Sequence, residues 1–244
     1  MAFPNVTYGS PGYEKSVSTT KKNRIGSKMV FADGRTFYYM LAGEAITAGL
    51  LTMGAQTATD HVYDLAVAAA SAVGDQTIEL TNGGSTAIAV DDYNDGYLFI
   101  NDEDGQGQIF TISSHTAAAT GASCTFTLYD GDSVQTALTT SSKAGIHKPV
   151  GHSVEMWDAS DIDGPILGVP QCDIASGEYF WNQTSGPGCV LAAGTWVLGN
   201  EVFSSTDGAA GPSVADNSVE NKVGMVLAIQ DAGDYGLVDL QIKH

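Results

Sequence analysis

Short runs of alternating hydrophobic and polar residues, separated by turns rich in glycine and aspartate, recur along the chain. Residues 124–128 alternate with a period of two, and residues 237–242 place Val238, Leu240 and Ile242 on one face. This period is typical of a β-strand with one buried face. The pattern therefore predicts an all-β fold with many turns.

Two hairpins are predicted from turn residues between apolar runs. Gly34 follows an aspartate between residues 28–31 and 36–41, and Asp-Gly between two β-prone runs is a strong hairpin signal. Residues 97–100 and 109–112 flank an acidic, glycine-bearing loop and predict a second hairpin. Further strands are predicted at 77–80, 124–128, 154–157, 166–169, 223–229 and 237–242.

Residues 64–73 fit two structures. Their alanines favour a helix that ends at Gly74, whereas the alternating run 77–80 directly afterwards favours a strand. We predict a strand here.

A glycine pattern occurs twice. The spacing G-x4-A-G-x4-G fits residues 43–54 and residues 188–199, a separation of 145 positions (188 − 43), and each copy follows an aromatic run. Glycine at fixed intervals marks positive φ angles or close approach of two chain segments. The pattern predicts a strand–turn–strand–turn unit used twice, with chance as the alternative in a chain of 29 glycines.

Composition suggests where the chain divides. The 244 residues suffice for one large β domain or two smaller ones, and basic residues return at 139–152 after none between 36 and 142. We predict an extended basic N-terminal arm at 1–35, a first β domain at 36–146 and a second at 147–244. The body is expected to be a glycine-rich β-barrel or β-sandwich, with two similar β units if the glycine pattern is a true repeat.

Charge is distributed unevenly. Residues 1–35 contain six basic and two acidic residues, a charge of +4, whereas the rest contains 4 basic and 26 acidic residues, a charge of −22; the total is −18. A body this acidic repels phosphate backbones, which argues against direct nucleic-acid binding. The arm is either a solvated flexible tail or a segment that reaches an acidic neighbour, including another copy. Its candidate contact residues are Phe3, Tyr8, Tyr13, Lys15, Lys21, Lys22, Arg24, Lys28 and Arg35.

Catalytic motifs are weak. Residues 151–155, GHSVE, resemble a G-x-S-x-G nucleophile elbow around Ser153, but Glu155 replaces the last glycine and no helix is predicted to follow. Gly105-Gln106-Gly107 lacks the third glycine of a dinucleotide-binding loop. We predict no enzymatic activity and no cofactor.

Metal and sugar sites are also weakly indicated. Residues 102–104 and 161–164 are rich in carboxylates, but the EF-hand order of ligands is absent, so solvated turn carboxylates are favoured over a loose calcium site. The histidines are scattered, which argues against zinc. A sugar-stacking platform would have to come from Trp157, Trp181 and Trp196, although tryptophan at strand spacing is more often core.

Cysteine content indicates the compartment of synthesis. Cys124, Cys172 and Cys189 are odd in number and lack metal-ligand spacing, and residues 1–16 contain no apolar leader. We expect buried thiols in a protein made in a reducing cytoplasm. The chain has no stretch of the ~18 uncharged apolar residues that a membrane helix needs.

Two stretches resemble phage virion proteins. IGSKMVFADGRTFYYMLAGEAITAGLL is similar to the opening of small virion proteins of tailed bacteriophages, with a basic lead, a D-G-R turn, an aromatic strand and a glycine-spaced hairpin. GVPQCDIASGEYFWNQTSGPGCVLAAGTWVLGNEVFSS, followed by VGMVL, resembles head decoration (cement) proteins, which carry a G-V-x strand, an x-G-x-x-x-W-x-Q element, a glycine-marked hairpin and a closing V-G-x-A/V-L strand. Residues 60–145 lie outside the resemblance.

The resemblance implies a structural role: β-rich subunits, often trimers, that clamp capsid proteins on the outside of a DNA-filled head. We therefore expect a capsid decoration protein on the outer virion surface, with the major capsid protein and copies of itself as partners. The acidic body suits the exterior, and the scarcity of lysine, a usual guard of exposed sheet edges, indicates edges covered in an assembly. The alternative is a receptor- or glycan-binding β module of a tail or fibre, which requires exposed tryptophans.

Overall fold

The computed structural model describes residues 6–213 and 221–242, and these residues are almost entirely β-strand and turn. The predicted all-β fold is thereby confirmed. No helix among the described residues is long and apolar enough to cross a membrane. The strands are β1 Val6–Tyr8, β2 Lys28–Val30, β3 Thr36–Leu41, β4 Thr52–Met53, β5 Leu65–Val67, β6 Thr77–Thr81, β7 Tyr97–Asp102, β8 Ile109–His115, β9 Ser123–Leu128, β10 Lys143–His147, β11 Glu155–Met156, β12 Ile166–Pro170, β13 Tyr179–Leu191, β14 Glu201–Ser204, β15 Ala210–Gly211, β16 Lys222–Val226 and β17 Tyr235–Gln241, with a 3-10 turn at Tyr13–Lys15.

The chain divides into two compact units, and the division differs from the predicted one. Unit 1 combines Met1–Ala55 with Gly151–His244, and unit 2 is the intervening Gln56–Val150. The prediction placed 36–55 with the first β domain and set 1–35 apart as an arm. Both assignments differ from the structure because β3 pairs antiparallel with β13, more than a hundred residues later, and β2 pairs with β3. Such non-local pairing has no local sequence signal.

Unit 1 is an open, 11-stranded sheet. Its main path runs β1-β2-β3-β13-β17-β16-β14-β15, while β4 pairs with both β11 and β12 and β12 pairs with β13. The long strand β13 is central because β3 and β17 pair with different parts of it. Alternation in β17 buries Val238 and Leu240, which pack with Val190 of β13 in the core of this unit. The predicted hairpin at 28–41 is confirmed, with Gly34 at a φ of +88°.

Unit 2 is a closed barrel in the order β10-β5-β6-β9-β8-β7, with β7 pairing back to β10. Its interior is filled by alternate residues of each strand, among them Ile78, Leu80 and Phe126, all fully buried. The predicted hairpin of residues 97–100 and 109–112 is confirmed as β7 and β8. The ambiguous segment at 64–73 contains a strand, β5, and not a helix.

A loop element recurs in unit 1, and it is not the predicted repeat. We define loop A as residues 42–49, loop B as 170–177, loop C as 192–199 and loop D as 226–233. Each ends at a glycine with positive φ: Gly49, Gly177, Gly199 and Gly233. The loops pair A with B and C with D. In each pair, the N–H of the terminal glycine of one loop donates to the carbonyl of the first residue of the other loop, with N···O distances of 2.8–3.0 Å.

The middle of each loop completes the pairing. Ile46 of loop A and Ile174 of loop B exchange two backbone hydrogen bonds of 2.9 Å, and Trp196 of loop C donates to the carbonyl of Gln230 in loop D at 2.8 Å. Unit 2 contains two related pairs, bridged at Ser71↔Leu138 and Ile88↔Ala118. Reciprocal pairing satisfies backbone groups that a turn would otherwise leave to solvent.

The predicted repeat used the wrong spacing. Gly188, matched to Gly43 by the 145-residue offset, is not in a turn but inside β13, opposite Val238. The structural equivalent of Gly49 is Gly199, 150 residues later (199 − 49), where both have φ near +78°. The error arose because glycine serves both turns and close strand packing; a Cβ on Gly188 would lie 2.7 Å from the Leu240 side chain.

Candidate contact surface of the N-terminal arm

The arm from residue 6 onward is folded against unit 1. β1 pairs in parallel with β2, from Val6↔Lys28 to Tyr8↔Val30. Farther along, Ser18 exchanges two backbone hydrogen bonds with Tyr179, of 3.0 and 2.8 Å. The flexible-tail interpretation is therefore wrong for these residues, because backbone pairing that composition does not reveal holds them in place.

Aromatic side chains hold the middle of the arm on β3 and β13. The ring of Tyr13 lies 6.3 Å from that of Trp181, which in turn meets Tyr39 edge-on at 5.0 Å. The backbone N–H of Lys22 donates to the hydroxyl of Tyr39 at 3.0 Å, and burial raises the pKa of that hydroxyl. Aromatic contacts and the hydrogen bond from Lys22 thus add to the backbone pairing that anchors the arm.

The structure places most predicted contact residues on the surface. Tyr8 on β1 is 85 % exposed and Tyr13 is about half exposed. The side chains of Lys28 and Arg35 are partly buried, and Phe3 lies outside the described residues. Lys15, Lys21, Lys22 and Arg24 are exposed, and we call these four residues the arm cations. They are close in sequence and belong to one anchored segment.

Arg35 has partners inside unit 1. Its guanidinium lies 2.8 Å from a carboxylate oxygen of Asp33, 3.4 Å from one of Glu14, and 4.7 Å from the ring centre of Phe31. The side chain is only 19 % exposed. The pKa of Asp33 is lowered: slight burial acts to raise it, but the hydrogen bonds and the charge of Arg35 outweigh that effect. Arg35 therefore ties the 3-10 turn to the first hairpin.

The tryptophans do not form a platform for a sugar. Trp157, Trp181 and Trp196 are each at most 2 % exposed. The indole N–H of Trp157 donates to the carbonyl of Ser205, and that of Trp196 to the carbonyl of Ala210. A stacking platform needs an exposed ring face, so the tryptophan-based sugar site is wrong and the core assignment holds.

Ser153 occupies an unusual backbone conformation. Its φ is +56°, and its hydroxyl lies 2.7 Å from Nδ1 of His152. The next element is strand β11, so the strand–turn–helix geometry of a nucleophile elbow is missing. The segment instead docks on loop A: Val154 donates to the carbonyl of Leu41 and accepts from Gly43, both at 2.8 Å.

The carboxylate-rich loops hold local hydrogen bonds. Asp102 accepts from the N–H of Glu103, and Asp104 accepts from the hydroxyl of Thr139 at 3.0 Å. Among residues 6–213 and 221–242, no three His, Cys, Asp or Glu side chains are grouped so that they could hold a metal ion. The three cysteines are free thiols, and their predicted burial is confirmed for Cys124 but wrong for Cys189, which is exposed; Cys172 is partly buried.

A buried polar network in unit 2 was not predicted. His61 accepts or donates through Nδ1 to the Tyr93 hydroxyl at 2.6 Å and contacts the Thr86 carbonyl through Nε2 at 3.0 Å. His115 accepts the N–H of Tyr93 at Nε2, 2.9 Å away. Burial lowers the pKa of His115 and raises that of Tyr93. The scattered positions of these residues in the sequence gave no signal of the network.

Comparisons with known proteins identify no relative. No family model matches the chain, and neither a curated protein nor a solved structure matches it.

Proposed function

We propose that this chain is a virion structural protein of a tailed bacteriophage, and specifically a capsid decoration protein. In this proposal it is made in the host cytoplasm, binds the outer surface of the capsid, contacts the major capsid protein and associates with copies of itself, most simply as a homotrimer. It contacts neither nucleic acid nor membrane directly and has no catalytic role. The support is the resemblance of residues 25–51 and 168–205 to such proteins, together with the distribution of charge.

The observation that carries the proposal is the position of the arm cations. They are exposed on an anchored segment of unit 1, whereas the chain beyond residue 35 has a charge of −22. Because the segment is already folded, binding through it does not have to order a flexible tail, a cost that weakens association. An anchored arm that exposes these cations together with Tyr8 and Tyr13 suits an acidic, partly apolar site on a capsid subunit.

The glycan-binding alternative has lost the feature on which it depended, because the three tryptophans are buried. No described residue set favours a sugar ligand in its place.

The test is binding to capsids that lack this protein. Deleting residues 1–24 would remove β1 and the pairing of Ser18 with Tyr179, so substitutions are preferable. The variant Lys15→Gln, Lys21→Gln, Lys22→Gln lowers the net charge by three. We expect its affinity to fall by about tenfold or more, with a weaker dependence on salt, since exposed charges contribute modestly each.

A matched control makes the same change in net charge elsewhere. The variant Gln76→Glu, Gln106→Glu, Gln135→Glu alters three exposed residues of unit 2 that are distant in sequence from the arm. We expect binding close to that of the unmodified protein. Equal weakening by both variants would show that only net charge matters, and unchanged binding of the lysine variant would remove the arm from the contact.

A further inference from the structure

The outer face of the sheet in unit 1 carries apolar side chains along three adjacent strands. Directly paired residues of antiparallel strands project to the same face. Leu237 of β17 pairs with Cys189 of β13. The N–H of Leu227 donates to the carbonyl of Leu237 at 2.9 Å. In the next row, Asp239 pairs with both Pro187 and Met225. We call Pro187, Cys189, Met225, Leu227, Tyr235 and Leu237 the outer apolar face.

These residues are exposed, although the opposite face of the same strands is already the core. Met225, Leu227, Tyr235 and Leu237 are between 37 % and 45 % exposed. Their neighbours along the strands, Val226, Val238 and Val190, are buried in the core of unit 1. An antiparallel sheet with one solvated face normally presents polar residues to water. Here apolar residues occur on both faces.

The apolar surface extends onto the loops at one end of these strands. Loop C continues β13 and loop D joins β16 to β17. They contribute Val197, Leu198 and Ile229, each more than half exposed. The N–H of Gly199 donates to the carbonyl of Val226 at 3.0 Å, which fixes the tip of loop C beside β16. The loops and the strands therefore form one surface held by backbone hydrogen bonds.

We infer that the outer apolar face is where a second copy of this chain binds. The inference rests on the proposed function only in that both include self-association. Together with the loop residues, the face exposes on the order of 600 Å² of side chain, near the ~800 Å² that each partner buries in a standard interface. Monomeric proteins seldom leave so large an apolar patch in water.

Charge favours a copy of the same chain as the occupant. Each molecule has a net charge of −18, so two copies repel each other wherever their acidic surfaces meet. Along the strands of this face the charged residues are Asp239 and Glu201, which pairs with Met225, and Lys222 lies 2.7 Å from Glu201, so the strand part has a net charge of −1 (one cation and two carboxylates). Asp231 and Asp234 lie at the loop D end, and the arm cations lie on a different part of the sequence. The strand part is therefore a surface on which two such acidic molecules approach at a small electrostatic cost.

The experiment measures self-association without capsids, so that its outcome is independent of capsid binding. Sedimentation velocity across a wide range of concentrations compares the unmodified protein with Leu237→Glu and with the matched control Ile109→Glu, which changes an exposed residue of β8 in unit 2. We expect the unmodified protein and the control to associate alike, and Leu237→Glu to weaken association by at least about tenfold. Circular dichroism verifies that the variants are folded.

Alkylation of Cys189 offers a second readout, which is measured on the unmodified protein. It is exposed and lies on the outer apolar face, whereas Cys124 is buried. We expect alkylation of Cys189 in the unmodified protein to slow as concentration rises, and Cys189→Ser to identify the signal. A protein that stays monomeric with concentration-independent alkylation overturns the inference, as does undiminished association of folded Leu237→Glu. Protection of Cys189 only by added capsids would also overturn it and assign the face to the capsid protein.

Discussion

Unit 1 and unit 2 use similar paired loops but complete their sheets differently. The barrel of unit 2 closes through the pairing of β7 with β10 and leaves no end to its strand order, whereas the main path of unit 1 ends at β1 and β15. In the closed barrel every strand has two neighbours, whereas β1 is an edge strand of the unit 1 sheet; at the other end of the path, Ala210 of β15 is bridged to Ala192. The arm cations and the outer apolar face both belong to unit 1. Both proposed contact surfaces therefore lie on unit 1.

The largest expected effect tests whether the two cores are separate. Phe126 is fully buried in the barrel and Phe180 is fully buried in unit 1. Phe126→Ala should lower the free energy of unfolding of unit 2 by about 3–5 kcal/mol, because it removes a large buried ring and leaves a cavity. Hydrogen exchange should show lost protection in the barrel amides. Phe180→Ala is the matched variant, and a loss spread equally over both units in either variant would contradict two separate cores.

The paired loops can be tested by alanine substitution at their terminal glycines. Gly49 and Gly177 both have φ near +80°, which costs an L-residue about 1–2 kcal/mol. A Cβ at Gly177 meets no atom within 4 Å, whereas at Gly49 it would lie 2.7 Å from the Tyr235 ring. We expect Gly177→Ala to destabilise unit 1 by about 1–2 kcal/mol and Gly49→Ala by roughly 2–3 kcal/mol, measured by denaturant unfolding.

A corresponding substitution in unit 2 extends this test to the barrel. Gly74 has a φ of +95° and open space around its Cβ position. If the loop pairs of the two units are the same element, Gly74→Ala should cost about as much as Gly177→Ala. A much smaller cost would show that the likeness of the loops is only geometric.

Acid should weaken unit 2 specifically. Burial lowers the pKa of His115 in the folded state, partly offset by the Thr116 carbonyl and by Asp91 and Asp92. The unfolded state therefore binds the proton more readily, so stability is complete above about pH 6.5 and falls as the pH decreases below it, by at most ~1.4 kcal/mol per pH unit. Unfolding monitored in the barrel between neutral and mildly acidic pH measures this slope.

His115→Gln is the control for acid sensitivity. Its amide oxygen can accept the Tyr93 N–H that Nε2 of His115 accepts at 2.9 Å, and it does not titrate in this range. The slope should flatten in this variant. An unchanged slope would contradict the assignment of the acid sensitivity to His115.

The smallest expected effect is that of substituting Arg35. This variant tests whether Arg35 anchors the arm within unit 1 or contacts the capsid. Arg35→Lys keeps the charge but loses the planar fork that meets Asp33 and Glu14 and stacks over Phe31. We expect unit 1 to lose about 0.5–1 kcal/mol of stability. Capsid binding should be unchanged, because Arg35 acts within the unit. A loss of binding without a loss of stability would make Arg35 a contact residue.

Local features of the fold could be predicted from the sequence, and distant ones could not. The hairpin around Gly34 followed from Asp-Gly between two apolar runs, and β7 and β8 followed from two apolar runs around an acidic, glycine-bearing loop. The membership of residues 36–55 in unit 1 depends on the pairing of β3 with β13, for which the sequence has no local mark. A period of two predicts a strand but not its partner.

The candidate site was predicted in composition but not in conformation. The arm cations were identified by charge alone, yet charge gave no indication that Ser18 pairs with Tyr179. The outer apolar face was in principle visible, since Tyr235 and Leu237 alternate with the buried Val238 and Leu240. In the sequence, Asp239, Gln241 and Lys243 continue the same side of the strand and mark it as polar. The loop repeat was hidden because the central residue of the loops varies from isoleucine to tryptophan and glutamine.

The interrupted course of unit 1 along the chain has a consequence for synthesis. The ribosome delivers β1 to β4 first, then all of unit 2, and only afterwards β13 and β17, with which unit 1 is completed. The barrel can close while its strands emerge, but β3 must wait with an unpaired edge until β13 is made. Pairings of such long sequence separation form slowly and expose strands to aggregation meanwhile. Production of this protein should therefore depend on translation rate and chaperones, chiefly through unit 1.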